Sequence, residues 1–184
     1  YQYNDAPAPE STRSVAFRLF DGDGGASLPA STSITIQTTA PAATLRLSDL
    51  DPGITLAEPA AQLGVLLDAS VQLDAGAAGF NGGSLTVSYL AASSREEDQL
   101  SIRNEGSGTD QVGFDAGSGE VSYQGVLIGT LNVSDTGANG DSLVVNFNAS
   151  ATATGIERVI ENLRYQTTSD GPLASRSIQV QVTD

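Results

Sequence analysis

Residues 84–90 read SLTVSYL, a segment in which Leu85, Val87 and Tyr89 alternate with polar residues. Because successive side chains of a β-strand point to opposite faces, this alternation predicts a strand with one buried face. The pattern recurs in short segments bounded by Gly, Asp, Asn, Ser or Pro, at residues 15–19, 34–36, 45–47, 100–102, 121–123, 143–147 and 178–182. Short alternating segments between turn residues predict an all-β fold, an antiparallel β-sandwich.

One segment has the period of a helix instead of a strand. In TGIERVIENL, residues 154–163, the apolar residues Ile156, Val159, Ile160 and Leu163 are spaced i, i+3, i+4 and i+7. Thr154 followed three residues later by Glu157 matches the capping-box pattern at a helix start. The sequence therefore predicts one short helix near 155–163 that covers one end of the sandwich core.

The composition excludes several classes of function. The 184 residues include 22 acidic and 8 basic residues, for a formal net charge of −14. A surface this negative repels nucleic acid and anionic membranes and attracts cations. The chain has no His, Cys or Lys, so Ser-His-Asp and Cys-His catalysis, thiolate or imidazole zinc sites and Schiff bases are excluded. No apolar run is long enough to insert in a membrane as a helix.

The two ends of the chain repeat each other. Residues 1–21 read YQYNDAPAPESTRSVAFRLFD and residues 165–184 read YQTTSDGPLASRSIQVQVTD. Seven identities occur in the same order, namely Tyr1, Gln2, Asp5, Pro7, Arg13, Ser14 and Asp21 with Tyr165, Gln166, Asp170, Pro172, Arg176, Ser177 and Asp184. The offset of 163 to 165 residues predicts the period of a tandem array.

The repeat divides the chain into two parts. We interpret residues 1–39 as the closing hairpin of one copy and residues 40–184 as the next copy without its final strand. An unpaired sheet edge promotes association. We therefore expect strand 31–38, or the whole hairpin 14–38, to fill that edge, either within the chain or by swapping with a neighbour.

Several motifs, in their order along the chain, resemble cadherin-like tandem repeats of giant bacterial surface proteins and RTX-type adhesins. They are NLRYQTTSDGPLASRSIQVQVTD (162–184), DGDGG (21–25), FNGGSLTVSY (80–89), REEDQLSI (95–102) and the short helix. The resemblance implies a cadherin/Ig-like Greek-key sandwich made rigid by Ca²⁺, secreted or at the cell surface. Such repeats commonly carry a D-x-D pair before the FNGG segment. Here Asp74 is followed by Ala75 and Gly76, and the RTX nonapeptide array is also absent.

The stretch FDGDGG, residues 20–25, is the first calcium candidate. Asp21 and Asp23 are two residues apart, and Gly22 and Gly24 let backbone carbonyls approach a cation. An EF-hand loop does not fit, since the sixth position from Asp21 is Ala26 and the twelfth is Thr32. The competing interpretation is a tight Asp-Gly turn. The other candidate ligands lie in acidic turns as well: Asp49, Asp51, Asp74, Glu96, Glu97, Asp98, Asp135 and Asp141.

These observations predict a calcium-stabilised extracellular repeat module of a large bacterial adhesin that acts as a rigid stalk. Its partners would be neighbouring repeats and a cell-surface polysaccharide or another cell. The alternative is a calcium-dependent carbohydrate-binding, lectin-like module, although sugar stacking usually needs exposed aromatic side chains and the chain has no Trp. An enzyme, either a two-carboxylate glycosidase or a domain that cleaves itself at Asp51-Pro52, is not expected, because the acidic residues follow no cleft pattern.

Overall fold

The computed structural model describes residues 11–17, 30–36, 45–51, 53–76, 79–90, 93–172 and 175–184. The chain forms two compact units, Tyr1–Ala43 and Thr44–Asp184. In the first unit, β1 (Ser11–Phe17) and β2 (Ala30–Ile36) form an antiparallel two-stranded sheet whose pairs run from Ser11 with Ile36 to Phe17 with Ala30.

The second unit contains eleven strands and two short helices in its described residues. In chain order they are β3 (Arg46–Ser48), α1 (Glu58–Leu63), β4 (Val65–Leu66), β5 (Gln72–Asp74), β6 (Ser84–Tyr89), β7 (Asp98–Ile102), β8 (Val112–Phe114), β9 (Glu120–Tyr123), β10 (Val126–Thr136), β11 (Leu143–Phe147), α2 (Ala153–Glu161), β12 (Leu163–Thr167) and β13 (Ile178–Thr183). All of the strand pairs are antiparallel.

The strands of this unit form a six-stranded sheet in the order β13-β6-β11-β10-β9-β8, a three-stranded sheet in the order β4-β12-β7, and the pair β3-β5. Strands β9, β10 and β11 are joined by hairpins, while β6 reaches β9 by a long connection and lies beside β11. That arrangement is a Greek key. The all-β antiparallel fold predicted from the alternating segments is confirmed.

The core lies between the two larger sheets. Leu85 and Val87 of β6 are fully buried, as their alternation predicts, and they belong to one apolar cluster with Leu100 and Ile102 of β7. Leu163 of β12 joins the same cluster. Because β6 belongs to the six-stranded sheet and β7 and β12 to the three-stranded sheet, the two sheets pack face to face as a sandwich.

Helix α2 confirms the predicted short helix, but its start differs from the prediction. The N-cap is Thr152, whose Oγ1 accepts a hydrogen bond from the Gly155 amide at 3.1 Å. Glu157 forms no capping box with Thr154, because its Oε1 accepts a hydrogen bond from the Leu73 amide at 2.7 Å. The carboxylate therefore joins the helix to β5, a contact between distant residues that a local motif does not encode.

Helix α1 was not predicted from the sequence. Its signals are weak: Glu58 and a proline lie in its first turn, Gly64 follows its last residue, and only Ala61 is buried. A six-residue helix is too short to display an apolar period. Within the described residues, no helix combines the length and the apolar character that crossing a bilayer would need.

Candidate functional site

A buried ion pair joins the two sheets at one side of the sandwich. Asp98, the first residue of β7, is fully buried, and its carboxylate accepts two hydrogen bonds from the Arg176 guanidinium, one of them from Nη2 to Oδ1 at 2.8 Å. The Tyr165 hydroxyl donates to Oδ1 at 2.7 Å, and the Arg95 amide donates to Oδ2 at 2.8 Å. Arg176 lies two residues before β13, so the pair connects the three-stranded sheet to the six-stranded sheet.

The environment of Asp98 favours its ionised form. Burial would by itself raise the pKa of this carboxyl, but the hydrogen bonds from Arg176, Tyr165 and the Arg95 amide outweigh burial and lower the pKa below its ordinary value. With four donors on its two oxygens, Asp98 is a satisfied anion. The arrangement suits a structural clamp, because the lone pairs that a metal ion would use are already occupied.

Two tyrosines surround the same ion pair. Burial, followed by the hydrogen bond to Asp98, raises the pKa of Tyr165 to about 12. Burial and the nearby Asp98 charge also raise the pKa of Tyr89, whose buried hydroxyl has no hydrogen-bond partner among the described residues. Both phenols therefore stay neutral at physiological pH. Neither phenol therefore provides an acid or a base that exchanges a proton at neutral pH.

The acidic triplet that contains Asp98 does not form one site. Glu96 and Glu97 lie in a turn with exposed side chains, whereas Asp98 turns into the core. The structure brings this segment against the β10–β11 loop, which contains the candidate Asp141 and follows the candidate Asp135 at the end of β10. The contacts are backbone hydrogen bonds, from the Gly140 amide to the Asp98 carbonyl at 2.7 Å and from the Leu100 amide to the Gly137 carbonyl at 2.7 Å.

The remaining candidate ligands are dispersed. Asp49, Asp51, Asp74 and Asp141 have exposed side chains, and Asp135 is half-buried near the end of β10. Asp74 accepts a hydrogen bond from the Gly76 amide at 3.3 Å, as in an ordinary aspartate turn. Asp21 and Asp23 lie outside the described residues. In the part of the chain that the structure describes, no three acidic side chains come together in a geometry that could hold a metal ion.

Sequence reasoning missed one buried carboxylate. Asp68 is almost completely buried, and its two oxygens accept hydrogen bonds from the Asp51 amide at 2.7 Å and the Ser70 amide at 2.8 Å. It follows β4, a strand of only two residues, so no alternation pointed to it. Asp68 fixes the path of the chain around residue 51. The role of Arg176 was also missed, although its identity with Arg13 in the repeat was a usable signal.

An apolar cavity of about 500 Å³ lies beside the ion pair. Its walls include Ile178 and Val180 of β13, Ile160 of α2 and Leu163 of β12. Another side is lined by α1 and by four residues of the segment before it besides Asp51, namely Leu50, Gly53, Ile54 and Leu56. Leu50 and Ile54 are 40% and 45% exposed. Asp68, Tyr165 and Arg176 also line the cavity. The opening therefore combines exposed aliphatic surface with polar groups that already have partners.

Comparison with known proteins returned no match: no family model fits the chain, and no curated protein and no solved structure is similar to it. The assignment of the site therefore rests on its geometry. That geometry consists of a satisfied buried ion pair, dispersed surface carboxylates and an apolar cavity beside an edge strand.

Proposed function

We propose that the chain is a repeat module of a large extracellular bacterial adhesin, a sandwich that acts as a rigid stalk and cell-adhesion unit and is stabilised by Ca²⁺. The observation that carries the proposal is the internal repeat of residues 1–21 in residues 165–184. The second copy of that sequence ends in β13, at the edge of the six-stranded sheet. A period that spans one complete sandwich is typical of tandem modules.

The repeated residues include those that close the sandwich. Tyr165 and Arg176 both donate to the buried Asp98. Their counterparts in the first copy are Tyr1 and Arg13. Because the repeat retains both hydrogen-bond donors, we expect the copy to which residues 1–39 belong to form the same sandwich, with an equivalent buried ion pair.

The acidic turn at residues 20–25 is the proposed calcium site. Asp21 is the counterpart of Asp184, which directly follows β13. The end of β13 packs closely on the turn before β6: a Cβ on Gly83 would come within 2.2 Å of the Thr183 carbonyl oxygen. From this correspondence we expect residues 20–25 to lie at an end of a sandwich, where a Ca²⁺ ion bound by Asp21 and Asp23 would stiffen the connection between modules. The net charge of −14 favours cation binding.

The structure offers less support for the carbohydrate-binding alternative. Sugar rings usually stack on exposed aromatic side chains. Within the described part of residues 45–184, every aromatic side chain is buried or half-buried, including Tyr89, Tyr123 and Tyr165. We therefore propose that the module acts in adhesion as a spacer at the cell surface. Its direct partners would be neighbouring repeats of the same polypeptide, and the partner of the whole adhesin would be a polysaccharide or another cell.

Thermal unfolding with calcium and with EDTA tests the proposal. A ligand that binds only the native state stabilises it by about 2.7 kcal/mol when its free concentration is 100 times Kd. We expect millimolar Ca²⁺ to raise the unfolding midpoint, and we expect the double variant Asp21→Asn with Asp23→Asn to lose that increase.

The matched control is the double variant Glu120→Gln with Asp170→Asn, which removes the same two charges from exposed residues far from the acidic turn in sequence. It should keep the full calcium response. An identical midpoint of the unmodified chain in calcium and in EDTA would overturn the calcium part of the proposal, as would an unchanged response in the Asp21 and Asp23 variant.

A further inference from the structure

The β10–β11 loop, residues 137–142, contains one of the two Asn-Gly pairs of the chain, Asn139-Gly140. Both residues have positive φ, 55° for Asn139 and 77° for Gly140, and the Asp141 amide donates to the Ala138 carbonyl at 3.0 Å. This geometry is that of a type I′ turn, which favours Asn-Gly because both residue types tolerate positive φ. The loop therefore depends on this residue pair for its shape.

The same residue pair is chemically reactive. In an Asn-Gly sequence the glycine amide nitrogen, once it has lost its proton, can attack Cγ of the asparagine side chain, because glycine has no side chain that shields the nitrogen. A new C–N bond closes a succinimide ring, and the side-chain nitrogen leaves as ammonia. Water then opens the ring at one of its carbonyls and gives either aspartate or isoaspartate. The reaction therefore needs no reagent except water.

The fold restrains the attacking nitrogen of Asn139-Gly140. The Gly140 amide donates to the Asp98 backbone carbonyl at 2.7 Å, and the Leu100 amide donates to the Gly137 carbonyl, also at 2.7 Å. These two hydrogen bonds hold the loop along β7. A hydrogen-bonded amide loses its proton only after the bond has opened. The Gly140 nitrogen is therefore available for attack only when the loop has left β7.

The loop fits closely against the backbone of β7 and the turn before it. A Cβ on Gly140 would come within 2.5 Å of the Arg95 carbonyl oxygen, and a Cβ on Gly137 would collide with the Leu100 carbonyl. Isoaspartate carries the main chain through its side-chain carboxyl and so adds a methylene to the backbone. A tight two-residue turn has no room for that extra atom, so a loop with isoaspartate at position 139 would no longer fit on β7.

Asp98 connects the loop to the buried ion pair. Its backbone carbonyl accepts from the Gly140 amide, while its carboxylate accepts from Arg176 and Tyr165. A change that releases the Asp98 side chain therefore also loosens the acceptor that holds the Gly140 amide. Opening of the loop and weakening of the ion pair are in this way coupled through one residue.

The second Asn-Gly pair, Asn81-Gly82, lies at the other end of β11 and serves as a reference. The Gly82 amide donates to the carbonyl of Phe147, the last residue of β11, at 3.2 Å. The β10–β11 loop instead precedes Leu143, the first residue of the same strand. The two pairs are thus separated by the length of β11, and Asp98 holds only the pair in the loop.

We propose that Asn139-Gly140 is a modification site at which the chain converts its own asparagine to aspartate or isoaspartate, with water as the co-reactant, once the β10–β11 loop leaves β7. The closed loop keeps the site latent. Conversion to isoaspartate prevents the loop from returning, so the modification is an irreversible record that the sandwich has opened beside the ion pair. The proposal uses neither the internal repeat nor a calcium site, so it does not rest on the proposed function.

Peptide mapping by mass spectrometry tests the proposal. Cleavage after arginine places Asn81 in peptide 47–95 and Asn139 in peptide 104–158, and fragmentation assigns the modified residue within each peptide. The unmodified chain, Asp98→Asn and the control Glu97→Gln are incubated in EDTA at mildly alkaline pH and sampled over several weeks. We expect Asp98→Asn to accelerate the reaction of Asn139 at least about tenfold and that of Asn81 less than about twofold.

The control and the reference site decide the outcome. Glu97→Gln should leave the rates at both asparagines unchanged. Equal acceleration of Asn81 and Asn139 in Asp98→Asn would attribute the reaction to general unfolding and would overturn the role of the loop. An unchanged rate at Asn139 would overturn it as well.

A second measurement uses the unmodified chain and so does not depend on the folding of a variant. Amide exchange of Gly140 reports how rarely the loop opens. We expect Asn139 to react more slowly in the native chain than in the urea-unfolded chain, by the same factor by which folding slows the exchange of the Gly140 amide. A native rate equal to the unfolded rate would contradict the proposal, and so would a factor that differs from the exchange factor by more than about tenfold.

Discussion

The ion pair between Asp98 and Arg176 should be the most sensitive polar contact of the molecule, because it is buried and joins the two sheets. Asp98→Asn would remove the negative charge that faces the guanidinium of Arg176, whose side chain is 7% exposed. Removing one partner of a buried ion pair destabilises by about 3–5 kcal/mol. We expect a loss of that size in the free energy of unfolding, measured by urea denaturation.

Glu97→Gln is the matched control for that variant. Glu97 precedes Asp98 and has an exposed side chain, so its substitution should change the free energy of unfolding by less than about 0.5 kcal/mol. Equal losses in the two variants would show that the negative charge of this segment matters, and not the contact with Arg176.

The same carboxylate predicts a specific loss of stability in acid. Its pKa is lower in the folded protein than the value of about 3.9 for an unfolded aspartate. Between those two values the unfolded chain binds a proton that the native chain does not, so stability rises with pH in that interval. The contribution is present above about pH 4 and is lost as pH falls through the folded pKa.

Urea midpoints recorded from about pH 2 to pH 6 measure this effect. We expect the decrease in acid to be shallower in Asp98→Asn than in the unmodified chain, while Glu97→Gln keeps the original slope. Parallel curves for Asp98→Asn and the unmodified chain would mean that other carboxylates dominate the acid response.

Among the elements, helix α2 offers the clearest test, because its observed cap differs from the motif in the sequence. The Oγ1 of Thr152 accepts from the Gly155 amide, whereas Thr154 is exposed within the helix. Loss of an N-cap threonine costs about 1 kcal/mol. We expect Thr152→Ala to lower the free energy of unfolding by about that amount and Thr154→Ala to leave it nearly unchanged. A larger loss for Thr154→Ala than for Thr152→Ala, in thermal or urea unfolding, would instead support a capping box at Thr154.

The elements also show what the sequence can predict. Alternation correctly identified strands such as β6, because Leu85 and Val87 bury one face. It could not reveal that Glu157 bonds to Leu73 or that Asp98 pairs with Arg176 across 78 residues, because both contacts depend on the packing of distant elements. The sequence shows where acidic residues cluster in turns. It does not show whether a carboxylate faces solvent or the core, because the fold decides that, as the opposite environments of Glu97 and Asp98 show.

For the whole molecule, the net charge of −14 predicts a dependence of stability on salt. Like charges on a compact chain repel one another, and the Debye length falls from about 30 Å at 0.01 M to about 3 Å at 1 M salt. We expect NaCl to raise the unfolding midpoint gradually over that range in the presence of EDTA. Millimolar Ca²⁺ should produce a larger increase than an equal ionic strength of NaCl. Equal effects would indicate general screening and no calcium site.

The two edges of the six-stranded sheet differ in length. Strand β13 presents six residues, whereas β8, at the opposite edge, presents three, Val112–Phe114. An incoming strand at β8 could pair with only three residues, so the short length of this edge strand limits unwanted pairing there.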